Sequence, residues 1–570
     1  MFRLRQLLTK FSILLNNLSS TERYIVGFLS VVVLASLIAF AVQYYLSNTK
    51  LAPSTGGNYR EAMIGLPRFI NPVLAPGSDI DRDIARLIYP SLLKYDAEGT
   101  LVPDLAESYQ VLNNGKQYRF IIKDRAQWED NTPITAADVV FTISLIQDQK
   151  YSSPLRQNWI GVAASQEGDR VVIFNLDSPY PPFTENTTVG ILPKHIWENV
   201  APNSFLLADA NLKPIGGGPF KFNKFQKDST GYIFSYDLAR NDKYYAQKPY
   251  LDGISFRFFD SEDEAIRAYN RRAVDAVSTI SATALDQLHL TSQTTVYSFT
   301  LPRYFAIFFN QNQNPALQDS SVRQALQFAT DKDSLVSSAL NGRGEKVSTP
   351  ILPFMPEFNQ AAGAIYSFDA DRARALLDKA GWQISENDGT RAKKSGAISM
   401  ALDITLATVA WPELQDIATE LQKQWAAVGV RLKVETYQLG ELQQNIMAPR
   451  NYSMLLFGQV LSLEPDPFSF WHSSQKKDPG LNLSLYGNNN VDKLLENARQ
   501  EQNPATRNSD LQQFQQILMN DNPAIFLYNP SYLYPANNTI KGIENGTVAD
   551  PSWRFANITN WYVNTRRENK

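Results

Sequence analysis

The sequence of 570 residues has no cysteine and only three histidines. Without cysteine the chain forms no disulfide and offers no thiolate for zinc, no thiol nucleophile and no sulfur to carry a lipid. The histidines His195, His289 and His472 are far apart in sequence, and none lies in an HExxH arrangement. Soft and imidazole ligands are therefore scarce, which disfavours a metal such as nickel, and we expect no cofactor.

The sequence also lacks a large net charge and the common catalytic motifs. A formal net charge of −3 gives no basic surface for nucleic acid. The sequence has no GxSxG element, and Gly216, Gly217 and Gly218 are not followed by the lysine and hydroxyl residue of a phosphate-binding loop. We therefore predict that the protein is not an enzyme and does not bind nucleic acid.

One long apolar run stands near the N-terminus. Residues 24–42 carry no charge, and at about 1.5 Å per residue they roughly span a hydrocarbon layer of ~30 Å. The residues before the run include Arg3, Arg5, Lys10 and Arg23 against a single acid, Glu22, whereas the other flank has only Lys50 nearby. The positive-inside rule then predicts a cytoplasmic segment over 1–23, a transmembrane anchor over 24–46 and an exported remainder.

A cleaved signal peptide is the alternative interpretation of this run. Ala39-Phe40-Ala41 fits a small-x-small cleavage site. The basic segment is long and the apolar run exceeds a usual signal sequence, which favours a retained anchor. Residues 47–58, rich in Pro, Gly and Ser, are predicted to form a linker between the membrane and the folded body.

Helical and strand patterns alternate after the linker. KQYRFIIK at 116–123 alternates as a strand does, while VRQALQFATD at 322–331 places its apolar residues on one helical face. Asp369 is a predicted helix cap, and Gly381 a predicted helix end. A helix followed by a turn at Gly429 and a strand is predicted over 413–437. This alternation predicts an α/β fold with mixed sheets.

Several blocks, taken in order, resemble the family 5 extracellular solute-binding proteins of the peptide and nickel type, which serve ABC importers. The blocks that carry the resemblance include RFINPVL (68–74), PDLAES (103–108) with TAADVVFTI (135–143), GGGPFKF (216–222), FFNQNQNPALQDSSVRQALQFATDKDSLV (308–336), NVDKLLENAR (490–499) and NPAIFLYNPSYLY (522–534). The resemblance extends from Tyr59 to Tyr534.

The resemblance implies a type II periplasmic-binding-protein fold, in which two lobes close over a ligand around two crossing strands. We expect the crossings near 300–310 and 524–534. The implied boundaries are 59–95, 189–300 and 525–570 for the first lobe, 96–188 for an extra domain of that lobe, and 301–524 for the second lobe.

The stretch LSLEPDPFSFWHSSQ, residues 461–475, is predicted to form a wall of the ligand pocket. In peptide-binding relatives a carboxylate here pairs with the α-ammonium of the peptide. With Asp466-Pro467 as the fixed point, that position is Leu463, which has no charge; Glu464 stands one residue further on. Asp466-Pro467 itself is read as a turn and cap.

The predicted ligand-binding residues combine this wall with the hinge aromatics and one early polar residue. They are Asn71, Tyr304, Phe305, Phe457, Gln459, Leu463, Glu464, Trp471 and His472. For each, ordinary core packing, capping or turn formation is the alternative interpretation.

The predicted function is a membrane-tethered receptor, monomeric and facing the extracellular or periplasmic side. It would capture a peptide or other small organic solute by lobe closure and deliver it to an ABC permease in the membrane. The alternative is a sensor or interaction protein that keeps the fold without delivering solute.

Overall fold

A computed structural model describes residues 19–395 and 398–570. The described chain forms two units: residues 19–57 together with 562–570, and residues 58–561. Arg3, Arg5 and Lys10, on which the predicted topology depends, lie outside the described residues.

The first unit begins with a helix of 29 residues, Ser20–Asn48. Ser19 and Glu22 cap it reciprocally: the Glu22 amide donates to Ser19 Oγ at 3.4 Å, and the Ser19 amide donates to Glu22 Oε2 at 2.9 Å. None of the helix residues is buried. By length and composition the helix can cross a membrane, so it is a candidate span that starts four residues before the predicted apolar run.

The predicted linker differs from the structure. Thr49–Ser54 is a strand, and it pairs antiparallel with Asn564–Asn569 near the C-terminus of the chain. Arg567 Nη1 donates to Thr49 Oγ1 at 2.9 Å, and the Lys570 amide donates to the Asn48 carbonyl at 3.0 Å. Proline and serine at the end of the strand resemble a linker in composition, but the partner strand satisfies the backbone.

A seven-stranded sheet, the first sheet, organises one side of the second unit. Its strands, in spatial order, are Thr294–Phe299, Tyr532–Asn537, Ala276–Val277, Asn58–Ile64, Gly253–Phe259, Ile233–Arg240 and Phe220–Lys227. Asn58–Ile64 pairs parallel with Gly253–Phe259, with Tyr59 opposite Ile254. Tyr59 and Ala62 are fully buried here.

A six-stranded sheet, the second sheet, organises the other side. Its strands, in spatial order, are Gly344–Lys346, Ala524–Pro530, Arg303–Phe309, Met454–Val460, Asp403–Val409 and Arg431–Tyr437. Every residue from Tyr304 to Phe309 is buried, which explains why this strand reads as a continuous apolar run and does not alternate.

The chain passes between the two large sheets twice, at residues 300–302 and at Ser531. Both passages fall within the stretches predicted as crossings. Strand Ala524–Pro530 lies in the second sheet, whereas the predicted lobe boundary assigns residues from 525 onward to the first lobe. The apolar sequence of strand Ala524–Pro530 is typical of a buried strand in either sheet, so it does not predict to which sheet the strand belongs.

A third, four-stranded sheet contains Ala106–Leu112, Gln117–Ile122, Val171–Leu176 and Val162–Glu167 in that spatial order. Smaller sheets join Leu93–Tyr95 to Leu101–Pro103, and Gln383–Ile384, Arg391–Ser395 and Ile398–Ala401 to one another. Helix Ala136–Gln147 packs against the four-stranded sheet. Thr135 and Asp138 cap its start, since the Thr135 amide donates to Asp138 Oδ2 at 2.8 Å.

Longer helices surround the sheets. They are Asp79–Ile88, Glu262–Asn270, Ser320–Phe328, Lys332–Ala339, Ala370–Lys379, Pro412–Ala426, Asn489–Gln500 and Pro504–Asp521. Asp369 caps Ala370–Lys379 through the Arg372 amide at 2.8 Å, and Gly381 follows it with φ +86°, so both predicted ends are confirmed.

Candidate functional site

A cavity of about 340 Å³ lies where three parts of the second unit meet. One wall comes from helix Asp79–Ile88 and the turn around Trp553, and another from the short helix Phe183–Asn186. The loop after strand Met454–Val460 of the second sheet forms a third wall through Leu461 and Ser462. A cavity of this size, enclosed by a helix, two turns and a loop that leaves the second sheet, fits a small-molecule site.

One wall of this cavity is a continuous run of stacked groups. The Arg86 guanidinium lies 3.6 Å from the Trp553 ring centroid, and Trp553 meets Tyr95 edge to face at 5.0 Å. The Tyr95 hydroxyl donates to Glu185 Oε1 at 2.8 Å. The wall therefore runs from a cation across two rings to a carboxylate.

The carboxylate of Glu185 also connects two parts of the fold. Its Oε1 accepts the backbone amide of Glu464 at 2.8 Å, from the loop after the second-sheet strand. Removal from water raises the pKa of Glu185 to about 7, and the negative charge of Glu464 adds to the rise. Burial likewise raises the pKa of Glu464, while Arg507 at 3.5 Å opposes that rise.

A larger groove of about 1350 Å³ adjoins this cavity. The two share Asn158, Glu185, Asn186, Leu461 and Ser462 as lining residues. The groove runs between the four-stranded-sheet side and the second-sheet side. A ligand longer than the cavity can therefore continue into the groove without leaving the space between the lobes.

A polar contact spans the groove. The Tyr180 hydroxyl donates to Asp466 Oδ2 at 3.1 Å, and Arg499 Nε lies 3.0 Å from the same oxygen. Arg499 also lies 4.5 Å from the Phe468 ring centroid. Asp466 Oδ1 accepts the Phe468 amide at 3.3 Å, which forms the turn predicted at Asp466-Pro467. Helix Phe468–Trp471 then starts after Pro467 and has no side-chain cap bond.

The two predicted hinge aromatics lie in the core of the second sheet. Tyr304 is fully buried and its hydroxyl donates to Gln459 Oε1, while Phe305 stacks on Tyr528 at 5.1 Å. Phe457 packs against the same core. None of these four predicted residues, Tyr304, Phe305, Phe457 and Gln459, lines either cavity.

The other predicted residues also have packing or capping contacts. Trp471 is 1% exposed and lies 5.6 Å from the Phe526 ring. His472 stacks on Phe468 at 4.1 Å and lies 3.3 Å from Glu496. Asn71 is buried in a turn, where its Oδ1 accepts the Val73 amide at 3.0 Å.

Leu463 and Glu464 lie closest to the cavity among the predicted residues. Their backbone follows directly on the lining residues Leu461 and Ser462. The Leu463 side chain turns toward Gly99, where a Cβ would lie 3.4 Å from Leu463 Cδ1. The ligand-binding role of each of the nine residues predicted from the sequence stays a prediction.

Sequence reasoning missed Arg86, Tyr95, Glu185 and Trp553. A signal for Glu185 exists in YPPFTEN, residues 180–186, which combines prolines and aromatic rings with one acid much as residues 461–475 do. Arg82 and Arg86, four apart in helix Asp79–Ile88, share one helical face.

The fold has two lobes, each built on its own large sheet, and the chain crosses between them twice. A cavity lies between the parts of this fold. These features define a ligand-binding protein of the periplasmic-binding-protein type. The predicted α/β fold class is thereby confirmed. The sequence profile of the bacterial extracellular solute-binding proteins, family 5, matches residues 100–480. The chain belongs to this family, as predicted.

Relatives extend over nearly the whole chain. The oligopeptide-binding protein AppA of Bacillus subtilis is 29% identical over 527 residues, which cover 90% of this chain and 92% of that protein. Its structure in complex with a nonapeptide has a TM-score of 0.71 and 28% identity, covering 90% of this chain and 99% of that one. NikZ from Campylobacter jejuni in complex with Ni(L-His) has a TM-score of 0.71 and 25% identity, covering 89% and 99% respectively.

The family consists of solute-binding proteins of the ABC importer type, not of enzymes. Among residues 19–395 and 398–570, no group of three or more His, Cys, Asp or Glu side chains is arranged to hold a metal ion.

Proposed function

We propose that this protein is a membrane-anchored receptor that captures a peptide or peptide-like solute and delivers it to an ABC permease. The observation that carries the proposal is the cavity of about 340 Å³ between helix Asp79–Ile88, the turn around Trp553 and the loop that follows strand Met454–Val460 of the second sheet. A ligand in this position contacts both lobes only when they are closed, so binding favours the closed state.

The continuous groove supports a peptide over a smaller solute. It adds about 1350 Å³ beside the cavity and is lined by side chains of both polar and apolar character. Leu461 and Ser462 line both spaces, so an extended chain that passes from one to the other would run along this loop. The oligopeptide-binding relative, whose structure contains a nonapeptide, is consistent with this ligand class.

The anchor is the second part of the proposal. Helix Ser20–Asn48 has the length and composition of a membrane span, and the basic residues before it favour a cytoplasmic N-terminus and an exported body. Intact mass and N-terminal sequencing of the membrane fraction test this. A mature chain that begins at Val42 would contradict the anchor and support a cleaved signal peptide.

The lobe boundaries remain part of the proposal and follow the sheets. We assign strand Ala524–Pro530 to the second lobe because it pairs with Arg303–Phe309, and we place the return crossing at Ser531. The first lobe then includes residues 532–561, and the four-stranded sheet belongs to the extra domain.

Native mass spectrometry of the detergent-solubilised full chain tests the ligand class. We expect peptides to co-purify, and we expect added peptides to displace them. Co-purification of a non-peptide solute that peptides do not displace would contradict the peptide assignment. A matched sample with Trp553→Ala, which removes one ring of the cavity wall, should retain less ligand.

A further inference from the structure

Glu185 is a carboxylate in the cavity wall without a cationic partner of its own. The Tyr95 hydroxyl and the Glu464 amide both donate to Oε1 at 2.8 Å, and the Ser462 side chain also contributes a hydrogen bond that lowers the pKa of Glu185. In the described part of the chain, no Lys, Arg or His nitrogen lies within 4.0 Å of this carboxylate. Glu185 lines both the cavity and the adjoining groove.

The arginine side chains around the cavity and the groove have other partners. Arg499 pairs with Asp466 at 3.0 Å, and Arg507 pairs with Glu357 at 3.1 Å. Arg86, at the far end of the aromatic wall, stacks on Trp553 and donates to the Thr188 carbonyl at 2.9 Å. The charge of Glu185 is therefore not neutralised by the protein.

A recessed carboxylate without a counter-charge is costly, and a second acid close by increases the cost. Glu464 is that second acid, and its charge raises the pKa of Glu185. A positive charge placed in the cavity against Glu185 would remove the cost, and the charge-assisted bond would be strong in this low-dielectric space. The Tyr95 and Trp553 rings beside it add favourable faces for a cation.

We propose that Glu185 binds a protonated amine of the ligand inside the cavity. The inference rests on the proposed function and narrows its ligand class to solutes and peptides that carry an exposed ammonium group. Glu185, from the opposite lobe, thus supplies the negative charge that Leu463 lacks.

The test uses the full chain in detergent and two tetrapeptide pools of identical composition, one with free N-termini and one N-acetylated, distinguished by isotope. The pools contain neither lysine nor arginine, so the α-amine is the cationic group by which the two pools differ. The mixed pools are incubated with the protein at pH 7.5, and the bound fraction is separated and quantified by mass spectrometry.

We expect the wild type to enrich free-amine peptides at least tenfold over acetylated ones. Glu185→Gln keeps the acceptor oxygen for Tyr95 and Glu464 but loses the charge, so its enrichment should fall close to one. Glu129→Gln is the matched control: Glu129 also accepts a backbone amide, from Gly216 at 2.9 Å, but lies outside both cavities. Its enrichment should match the wild type.

A second measurement compares the wild-type enrichment at two pH values. It needs no variant, so it remains valid if Glu185→Gln does not fold. The wild-type enrichment should fall at pH 5.5, where Glu185 is protonated. Equal retention of both pools by the wild type would overturn the Glu185 inference while leaving peptide binding intact. A folded Glu185→Gln protein that still prefers free amines would overturn it too. Retention of neither pool would contradict the proposed function, and the inference with it.

Discussion

At the scale of single residues, Trp471 belongs to an aromatic-rich stretch of sequence, but its side chain packs in the hydrophobic core. The indole is 1% exposed and packs against Phe308 and Phe526 of the second sheet. Trp471→Ala leaves a cavity there, and we expect a loss of about 3–5 kcal/mol in the free energy of unfolding. Denaturant unfolding measures this.

The matched control is Trp411→Ala, because Trp411 is 44% exposed. It should change the free energy of unfolding by less than about 1 kcal/mol. If Trp471→Ala instead leaves stability unchanged and abolishes ligand binding, Trp471 is a ligand contact as the sequence pattern predicted.

Leu463 lies beside the cavity but turns toward Gly99. Leu463→Asp places a carboxylate in a half-buried position without a cationic partner, so we expect the free energy of unfolding to fall by about 1–3 kcal/mol. Because the new charge faces away from the cavity, the preference for free-amine peptides should not increase. Calorimetry with matched free and acetylated peptides, together with denaturant unfolding, checks both parts. A stronger preference in Leu463→Asp would show that this position faces the ligand.

The pKa of Glu185, about 7, lies above its ordinary value of 4.5. Between pH 4.5 and about 7, Glu185 holds a proton in the folded chain but has released it in the unfolded chain. The free energy of unfolding therefore falls as pH rises through this range. A bound ammonium favours the ionised form. We therefore expect amine ligands to bind more tightly at pH 7.5 than at pH 5.5, with a proton released on binding.

Calorimetry in two buffers of different ionisation enthalpy measures that proton. The other charged and titratable residues in the cavity lining are Arg82, Arg86, Tyr89, Tyr95 and Asp550, and Glu464 contacts Glu185 through its backbone amide. Glu185→Gln should abolish the release near neutral pH if Glu185 is its source. Persistent release in that variant would assign the proton to Glu464.

At the scale of elements, the strand after the apolar helix depends on the C-terminal strand. Among residues 19–395 and 398–570, the strand that pairs with Thr49–Ser54 is Asn564–Asn569. Deletion of residues 562–570 leaves this strand unpaired, and an unpaired short strand is not stable in water. We expect trypsin to cut after the exposed Lys50 at least tenfold faster in the truncated protein.

The control is Arg566→Ala, which removes a side chain that bonds only within its own strand, to Glu568 at 2.8 Å, and keeps the backbone pairing. Its cleavage rate at Lys50 should match the wild type. Equal rates in the truncated and full-length proteins would show that residues 49–54 are already accessible, as a flexible linker would be.

At the scale of the whole molecule, the proposed closure of the lobes can be tested through a polar contact across the groove. The Tyr180 hydroxyl to Asp466 bond, at 3.1 Å, connects the two sides of the groove. Tyr180→Phe removes it and should favour the open state, with a larger radius of gyration and about fivefold weaker ligand binding, in line with a net loss near 1 kcal/mol.

Small-angle scattering and calorimetry measure the two effects. Tyr232→Phe is the matched control, since its hydroxyl donates to Asp260 at 3.1 Å away from the groove. It should change neither quantity. A radius of gyration that stays the same in Tyr180→Phe and does not decrease with ligand would count against a closing receptor.

The sequence by itself determined the family, the α/β alternation and the ends of several elements. These features are encoded locally: Thr135 and Asp138 cap a helix three residues apart, and Asp369 and Gly381 mark a helix that needs no distant partner. The apolar run of residues 24–42 is equally local, because its composition is visible without any distant contact.

Only the tertiary structure decided which residues face the cavity. Trp471 and Tyr304 point into the second-sheet core although their loop and strand adjoin the site, and sequence pattern does not fix that direction. Glu185 reaches the cavity because its helix packs beside a loop 279 residues later in the chain. Likewise Thr49–Ser54 becomes a strand only because the distant C-terminal segment satisfies its backbone. Contacts of this separation depend on how the lobes assemble, which no local pattern specifies.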